Sequence, residues 1–334
     1  MTATSDFYYD LPADAIAQSA IEPRHDSRLL DTRTMSDHRF LNLAGLLETG
    51  DLVVVNRTRV RRARLTAQKP TGGAVEILLL RAIDGGRWEA LGRPTKRLRA
   101  GSELQIGDVH VRLVSDPVDG RILIETDGDL GSLAEQVGEV PLPPYFTGDL
   151  DDPDRYQTMF ADRVGSAAAP TAGLHFTEEV TRRLRERGIE IERIELEVGL
   201  DTFRPIIADA LDDHVMHSEW VNVDDATVEK IEATHQRGNR IVAIGTTVVR
   251  ALESAAAGGI LRSMSGSSSL FIRPGYRFRV VDLVLTNFHV PGSTLVIMIA
   301  AMLGDRWREV YSAALGRGYR FLSFGDAMLV EVPR

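Results

Sequence analysis

A segment of mostly small side chains, residues 165–176, ends in Leu174-His175-Phe176 directly before a predicted helix. Small residues allow the backbone to approach a ligand closely, and the N-terminus of the following helix favours an anionic group such as a carboxylate. His175 is a candidate for proton transfer, because imidazole titrates near neutral pH. A tight loop that carries a structural histidine is the alternative, and the residues alone leave both open.

Two more histidines, His214 and His217, stand three positions apart, and Glu219 follows closely. This pattern is weak as a metal site, because neither an H-E-x-x-H motif nor a set of cysteines accompanies it. The segment indicates either a histidine–glutamate pair that handles protons or a hydrogen-bonded pair with a structural role.

Polar clusters follow three of the predicted strands, at residues 56–59, 245–247 and 286–289. In open α/β sheets, ligands bind beyond the carboxyl ends of the strands. The three clusters therefore predict one shared site, although each of them could by itself be turn chemistry or helix capping.

Charge is distributed unevenly along the chain. Five arginines fall within eight residues: Arg57, Arg59, Arg61, Arg62 and Arg64. Such a density could track a phosphate backbone, and a solvated basic face is the alternative. The whole chain has 39 lysines and arginines against 48 aspartates and glutamates, a net charge of −9. That sign opposes generic polyanion binding, so any contact with nucleic acid would have to be local.

Missing residue types and motifs exclude several classes of protein. The chain has no cysteine, which excludes a disulfide framework, a thiolate metal site and a cysteine nucleophile. The G-x-G-x-x-G, G-x-x-x-x-G-K-[ST] and G-x-S-x-G motifs do not occur, so the common dinucleotide, P-loop and α/β-hydrolase functions have no support. The amino terminus is acidic, and no run approaches the ~18–20 apolar residues of a membrane span, which predicts a cytoplasmic protein that does not enter a membrane.

The predicted secondary structure that must position these residues follows two patterns along the chain. Residues 61–141 contain short β-type runs, at 75–80, 88–91, 109–114 and 122–124, separated by glycine-rich turns, as is typical of a small β-barrel. Outside them, strands are predicted at 52–55, 191–198, 241–244 and 280–285, and helices at 178–187, at 225–237 and after Pro291. The predicted fold class is α/β, an open sheet with flanking helices that is interrupted by an inserted small β-barrel.

Segments of the chain match a known family in order, nearly end to end. They are residues 7–12, 27–30, 50–52, 56, 58–60, 63–65, 71–73, 75–76, 141–145, 155–158, 169–176, 214, 216–219, 245–247, 249–250, 252–253, 274–276, 286–289, 291, 293–295 and 325–328. Together they resemble the S-adenosylmethionine:tRNA ribosyltransferase-isomerase family of queuosine biosynthesis. The resemblance implies a discontinuous α/β catalytic domain, residues 1–60 plus 148–334, and an inserted β-barrel domain, residues 61–147.

The resemblance also implies an unusual use of S-adenosylmethionine as co-substrate, in which the ribosyl part is transferred and not the methyl group. The acceptor is the aminomethyl group of a 7-deazaguanine base in the tRNA anticodon loop, and the product is epoxyqueuosine-tRNA, with adenine and methionine released. The positive sulfonium acidifies the adjacent C5′ protons, so that a base can form an ylide. Such a site needs a proton acceptor, donors for the departing adenine and polar groups for the ribose oxygens, and it needs no metal.

Roles for individual residues follow from the resemblance as hypotheses. His175 is the first candidate for the general base, and His217 with Glu219 is the second. The residues expected to line the substrate pocket are Asn56, Arg59, Pro170, Thr171, Gly173, Phe176, Gly199, Thr202, Phe203, His214, Gly245, Thr246, Thr247, Arg250, Thr286, Asn287, His289, Ser293, Thr294 and Asp326. Arg59 and Arg250 suit a carboxylate or a phosphate best, because a guanidinium binds either group through two hydrogen bonds.

Four residues depart from the usual pattern of the family inside its motifs. Glu197 stands in place of a histidine, Asp201 in place of a glycine, Arg57 in place of an asparagine or aspartate, and Val248 in place of a serine. Glu197 and Asp201 add negative charge, which near a sulfonium could bind the cation or provide a different base, and which near a tRNA phosphate would repel it. Glu197 is therefore a further catalytic candidate.

These departures bear on the acceptor more than on the fold, and they keep two alternatives open. One is a divergent enzyme that splits or rearranges S-adenosylmethionine with a small-molecule acceptor or with none. The other is a protein that binds S-adenosylmethionine or tRNA without catalysis. The sequence leaves the oligomeric state open.

Overall fold

The structure is a computed structural model that describes residues 2–84, 86–118, 120–147, 150, 152–199, 202 and 205–333. The chain divides into two compact units. The first unit contains Met1–Arg59, Pro144–Val164 and Ala169–Arg334, and the second contains Val60–Pro143 and Gly165–Ala168.

The secondary structure mixes strands and helices throughout. The strands are β1 (Arg28–Asp31), β2 (Ser36–Arg39), β3 (Leu52–Asn56), β4 (Thr58–Val60), β5 (Arg64–Gln68), β6 (Ala74–Ala82), β7 (Arg87–Arg93), β8 (Glu103–Ile106), β9 (Val109–Leu113), β10 (Arg121–Thr126), β11 (Arg163–Ser166), β12 (Glu190–Leu196), β13 (Glu219–Val223), β14 (Ile241–Ile244), β15 (Met264–Ser268), β16 (Leu283–Asn287) and β17 (Ala327–Glu331). The α-helices are α1 (Leu43–Leu46), α2 (Leu130–Val137), α3 (Glu178–Glu186), α4 (Asp225–Gln236), α5 (Thr246–Ala255), α6 (Thr294–Leu303) and α7 (Arg306–Gly316).

A nine-stranded open sheet forms the centre of the first unit, in the order β15-β13-β12-β3-β14-β16-β17-β1-β2. The four strands β12, β3, β14 and β16 are mutually parallel. Every residue of β3, β14 and β16 is buried, which explains their continuous apolar sequences, since a strand covered on both faces shows no alternation. Because these strands are parallel, their carboxyl ends share one edge of the sheet.

The second unit is a closed antiparallel barrel, in the strand order β10-β7-β6-β5-β8-β9. Burial alternates along its strands, most clearly in β8 and β10, as expected when one face fills the barrel interior. The α/β fold class with an open sheet and a small β-barrel, predicted from the two sequence patterns, is thereby confirmed.

Some elements differ from the sequence-based expectation. In the first sixty residues only β3 is predicted, but the structure also has β1, β2 and β4, which are three or four residues long and therefore too short to carry a clear apolar pattern. The strand predicted from residue 280 begins at Leu283, because the main-chain N–H groups of Val280 and Val281 donate to the buried Glu253 carboxylate and not to a neighbouring strand.

An aromatic cluster packs beneath the carboxyl end of β16. The Tyr9 ring lies 5.0 Å from Tyr311, and Phe288 lies 4.6 Å from Phe321, between ring centroids. The Tyr9 hydroxyl donates to the main-chain oxygen of His289 at 2.5 Å. The amino-terminal segment therefore helps to hold the loop that follows β16.

In the described ranges, no helix has the length and apolar character that crossing a membrane requires.

Candidate active site

A cavity of about 540 Å³, here called cavity A, lies at the carboxyl ends of β14 and β16. Its polar lining consists of Tyr145, Thr171, Thr202, Thr246, Thr247, Thr286, Asn287, His289, Ser293 and Ser323. The structure thus brings together two of the three predicted polar clusters, residues 245–247 and 286–289, with Pro170 and Thr171 from the small-residue segment. This edge of the sheet is where a doubly wound fold places its ligands.

The third predicted cluster, residues 56–59, does not line cavity A. The Asn56 side chain is used within the sheet: its amide donates to the Leu196 oxygen at 2.8 Å, and its carbonyl oxygen accepts from Thr58. Arg57 makes two hydrogen bonds of 2.6 Å to Asp162. These contacts fix the ends of β3 and β12. For Asn56 and Arg57 the structure therefore shows a role in holding the backbone.

A second cavity of about 330 Å³, cavity B, adjoins cavity A and shares Thr202, Thr246, Thr247 and Leu295 with it. Its wall is mostly apolar, formed by Met216, Leu270, Phe271, Ile272, Leu295 and Met298. Three buried polar atoms belonging to residues of this cavity have no hydrogen-bond partner in the part of the chain that the structure describes: Thr247 Oγ1, Thr294 Oγ1 and Arg250 Nε. Buried polar groups are nearly always satisfied, so three orphans around one cavity indicate a ligand with polar groups.

A buried ion pair closes cavity B. Glu219 Oε2 lies 3.2 Å from Arg250 Nη1, and Oε1 accepts from the Gly199 N–H and the Thr202 hydroxyl, both at 2.8 Å. Burial by itself raises the pKa of Glu219, but the charge of Arg250, with smaller effects from His217 and the Gly199 N–H, outweighs it and leaves that pKa lowered. The carboxylate is therefore ionised at neutral pH.

Arg250 is held on several sides. Its Nη2 donates to the main-chain oxygens of His217 and Ser268, both at 3.1 Å, and its Nη1 lies 3.2 Å from His217 Nε2. Burial lowers the pKa of Arg250, and Glu219 opposes that effect. The sequence-based pairing of His217 with Glu219 is present, with His217 Nε2 at 3.4 Å from Glu219 Oε1, and it is part of a network centred on this arginine.

Helix α5 starts between the two cavities. Gly245, its N-cap residue, has φ +92°, a conformation that residues other than glycine rarely adopt. This turn directs the chain from β14 into α5, so that Thr246 and Thr247 in the first helical turn line both cavities. The first N–H groups of a helix lack partners within the helix and carry its positive dipole end, so the junction of the cavities favours negative charge.

The predicted base, His175, is buried and lies outside the lining of cavity A. Asn287 Nδ2 donates to His175 Nε2 at 3.2 Å and to the Leu322 oxygen, while its Oδ1 accepts from Thr171 Oγ1 at 3.1 Å. Because Nε2 accepts, the neutral ring carries its proton on Nδ1, which donates to Ser27 Oγ at 2.7 Å. Burial, together with the charges of Arg320 and Arg24, lowers the pKa of His175 to about 3.

His289 is the imidazole that lines cavity A. Its Nε2 lies 3.0 Å from Thr286 Oγ1, and its main-chain N–H donates to the Tyr311 hydroxyl. Burial lowers the pKa of His289 to about 3, so the ring is neutral at physiological pH.

Comparison with known proteins now decides the family. The family model described as "Queuosine biosynthesis protein" matches residues 4–330. The chain belongs to the queuosine biosynthesis protein family. A protein from Halothermothrix orenii named S-adenosylmethionine:tRNA ribosyltransferase-isomerase is 46% identical, over 97% of this chain and 98% of its own length.

A protein of the same name from Symbiobacterium thermophilum is 47% identical, over 98% of this chain and 99% of its own length. Among solved structures, the S-adenosylmethionine tRNA ribosyltransferase of Thermotoga maritima matches with a TM-score of 0.57 and 35% identity, over 97% of this chain and 99% of that one. The resemblance seen in the sequence motifs is confirmed at the level of the queuosine biosynthesis family.

The remaining predicted residues of this member of the queuosine biosynthesis family have varied environments. Gly173 has no room for a side chain, because an added Cβ would lie 2.9 Å from Thr158 Cγ2. Phe176 packs in the core, and the Asp326 carboxylate accepts the main-chain N–H groups of Arg28 and Arg320. These three residues shape the surroundings of the cavities.

Other predicted residues border the cavities. His214 packs edge-on against Phe271 of cavity B, at 5.2 Å between ring centroids, and its buried Nε2 has no hydrogen-bond partner among the described residues. Ser293 caps α6 with its side chain and lines cavity A. Arg59 has no acidic partner within hydrogen-bonding reach in the part of the chain that the structure describes.

The departures from the usual family pattern can be placed in part. Val248 is fully buried in α5, where an apolar side chain packs without needing a hydrogen bond. Glu197 is half-buried, and its main-chain N–H donates to Trp220. Asp201 and Phe203 lie outside the described residues. Within the described ranges, histidine and acidic side chains form no group of three that could hold a metal ion.

Proposed function

We propose that this chain transfers and isomerises the ribosyl part of S-adenosylmethionine onto the aminomethyl-7-deazaguanine base of tRNA, releasing adenine and methionine. One observation carries the proposal: relatives that share 46–47% of their residues with this chain over almost its whole length carry the name of that activity. The paired cavities at the carboxyl edge of the sheet support it, because they combine apolar walls with orphaned polar atoms.

Cavities A and B together are proposed to hold S-adenosylmethionine. The apolar wall of cavity B suits the aliphatic chain of the methionine part, and Arg250 Nε with the hydroxyl of Thr247 or Thr294 suits its carboxylate. The dipole of α5 adds favourable potential at the same place. The more polar lining of cavity A then faces the ribose, the adenine and the incoming amine.

When S-adenosylmethionine is bound, its sulfonium acidifies the neighbouring C5′ protons, and a protein group must accept one of them. We propose His289 for this role, because its imidazole ring lines cavity A, within reach of a substrate bound there. His175, the first prediction for the base, is reassigned as a positioning residue: both of its ring nitrogens are hydrogen-bonded, and one of them holds Asn287.

Two glutamine variants separate these roles. Hydrogen exchange at C5′ of S-adenosylmethionine should fall by about 100-fold or more in His289→Gln, the usual scale for removing an acid–base group. His175→Gln should retain most of the exchange, because an amide can still accept from Asn287 and donate to Ser27. If His175→Gln abolishes exchange while His289→Gln does not, the base is His175 as the sequence suggested.

Glu219 is proposed to anchor Arg250 and the segment around Gly199, since its two oxygens already accept or pair with four groups. His217, the second predicted base, shares this anchoring role. Glu197, which is absent from the linings of cavities A and B, is not assigned a chemical step.

An assay of the released products, adenine and methionine, tests which molecule accepts the ribosyl part. Purified protein incubated with S-adenosylmethionine should release adenine and methionine only when an anticodon stem–loop RNA with the aminomethyl base is added. Release without RNA would favour the divergent enzyme with a small acceptor or none, and the absence of release would favour a binding protein.

We further propose that the reaction takes place in the cytoplasm, needs no metal, and is carried by residues of the α/β domain, 1–60 plus 148–334, with 61–147 as a separate barrel domain.

A further inference from the structure

A third cavity of about 280 Å³, cavity C, lies at the far end of the side-chain row that starts at Thr171 in cavity A. The row runs from Thr171 through Asn287 and His175 to Ser27, and its last two members line cavity C. Three arginines line the same cavity: Arg24, Arg155 and Arg320.

Two of these arginines have no counter-ion among the described residues. Arg24 donates only to main-chain oxygens, those of Gln157 at 2.8 Å and Asp154 at 3.2 Å. Arg320 likewise donates to the main-chain oxygens of Ser19 and Phe324. In the part of the chain that the structure describes, neither guanidinium has a carboxylate within 4.0 Å. Their hydrogen bonds therefore fix the side chains without cancelling the charge.

Among the described residues, one acidic group forms an ion pair with an arginine of cavity C: Glu22 pairs with Arg155. The Asp326 carboxylate accepts the main-chain N–H groups of Arg28 and Arg320 and forms no ion pair with the guanidinium of Arg24 or Arg320. Burial and then the charge of Arg155 lower the pKa of Arg24, while Glu22 and Asp152 act in the opposite direction. Like charges are thus held close together in a partly buried place, which is costly unless an anion joins them.

Ser27 supplies a neutral donor to the same cavity. It is 2% exposed, and its oxygen accepts the His175 Nδ1–H, so its own hydroxyl hydrogen is available to another acceptor. A buried hydroxyl beside three guanidinium groups matches an oxyanion with several acceptor oxygens.

We propose that cavity C binds one backbone phosphate of the RNA acceptor. This inference rests on the proposed function and deepens it, because it assigns a place to the acceptor strand. A phosphate is favoured over the substrate's carboxylate, since Arg250 and the N-terminus of α5 already provide for that group in cavity B. It also reconciles RNA binding with a chain whose net charge is −9.

The test measures RNA binding without turnover. Full-length protein is titrated with a fluorescent anticodon stem–loop RNA at several salt concentrations, in the absence of S-adenosylmethionine. Arg24→Gln and Arg320→Gln should each weaken binding about tenfold. In each variant the slope of log affinity against log salt should also fall, by at most about 0.7, the value for the complete loss of one phosphate contact of a single strand.

Two further variants serve as controls. Arg24→Lys keeps the positive charge and should recover the wild-type salt slope with part of the affinity. Arg182→Gln removes an exposed arginine of α3 that is already paired with Glu179 and Glu186, and it should bind RNA as the wild type does. Thermal melting checks that each variant is folded, and because Arg24 and Arg320 are tested separately, the loss of one variant to misfolding leaves the other decisive.

Three outcomes would overturn the assignment. The first is unchanged affinity and salt slope in both glutamine variants, and the second is a wild-type protein that does not bind the RNA. The third is intact RNA binding with a raised KM for S-adenosylmethionine, which would mean that cavity C takes the substrate's carboxylate. A protein that binds RNA through these arginines but releases no adenine would contradict the proposed reaction and leave the phosphate site standing.

Discussion

At the residue scale, the buried pair of Glu219 and Arg250 connects stability to function. Removing two charges from water costs several kcal/mol, and the pair repays this only because hydrogen bonds satisfy both groups. Gly199 and Thr202 serve the carboxylate, while two main-chain oxygens serve the guanidinium. Within the described ranges, one N–H of the pair stays without a partner: Arg250 Nε, beside cavity B.

Arg250→Met should therefore be strongly destabilising, by about 3–5 kcal/mol, because Glu219 is left buried and unpaired. The double variant Glu219→Gln/Arg250→Met should recover much of that loss, yet neither protein should release adenine. Urea unfolding and an adenine-release assay measure the two effects. A single variant as stable as the wild type would mean that Glu219 does not stay ionised in the folded protein.

Buried His175 makes stability depend on pH. Its folded pKa of about 3 lies below the unfolded value of about 6.5, so between these values the unfolded chain binds a proton that the folded chain does not. The free energy of unfolding then rises with pH across this window and levels off above about pH 7.

His175→Gln should remove up to about 1.4 kcal/mol per pH unit from that slope. In urea titrations from about pH 5 to about pH 8, the stability advantage of the wild type over the variant should shrink as the pH falls. Parallel curves for the two proteins would show that the folded chain protonates this ring as readily as the unfolded chain does.

Sequence reasoning finds residue types better than residue partners. Asn287, Thr247 and His289 were predicted from their position after strands, and they do line a cavity. Asn56 was predicted on the same grounds, but its amide is taken by Leu196, a contact that depends on the pairing of β3 with β12. The arginines of cavity C were not predicted, because they come from three distant parts of the chain and carry no local pattern.

At the scale of elements, the turn from β14 into α5 does most to shape the site. It places two threonines and the positive end of a helix between cavities A and B. The sequence indicates the end of a strand here but does not reveal α5, a helix of ten residues whose polar side chains, Arg250 and Glu253 among them, are buried with the apolar ones.

Gly245→Ala tests this turn. An added Cβ meets only ordinary contacts, 3.5 Å to Ala172 Cβ, so the expected cost of about 1–3 kcal/mol comes from the backbone at φ +92° and ψ 155°, a region that is essentially restricted to glycine. Relaxation of the turn should move α5 and raise the KM for S-adenosylmethionine. Gly238→Ala is the control, with φ +77° and open space around it: destabilisation with an unchanged KM is expected. If both variants have the same KM for S-adenosylmethionine, the conformation of this turn does not affect substrate binding.

At the scale of the whole molecule, the chain forms two compact units, one built on an open sheet and the other a closed barrel. The fold class was predictable because the signals are long-range and redundant: short strands with glycine turns in one region, and strand–helix alternation in the other. The short strands β1 and β2 at one side of the sheet were not predictable, since β1 is held in the sheet by β17, a strand about 300 residues away in sequence, and β2 pairs with β1.

A ligand that binds only the folded state must stabilise it. S-adenosylmethionine at about 100 times its Kd should raise the free energy of unfolding by about 2.7 kcal/mol. Hydrogen exchange should show the new protection in the first turns of α5 and α6, with strands β8 and β9 as internal references. Protection confined to other elements would place the substrate outside cavities A and B.

The row of hydrogen bonds from Thr171 to Ser27 has a direction, because each side chain donates to the next. An anion that accepts from Ser27 polarises every donor behind it, and a ligand that donates to the Thr171 oxygen polarises the row in the same sense. Occupants of cavities A and C therefore favour each other, and linkage makes the benefit equal in both directions. The two substrates should bind synergistically, in either order, and Asn287→Leu should make their affinities independent.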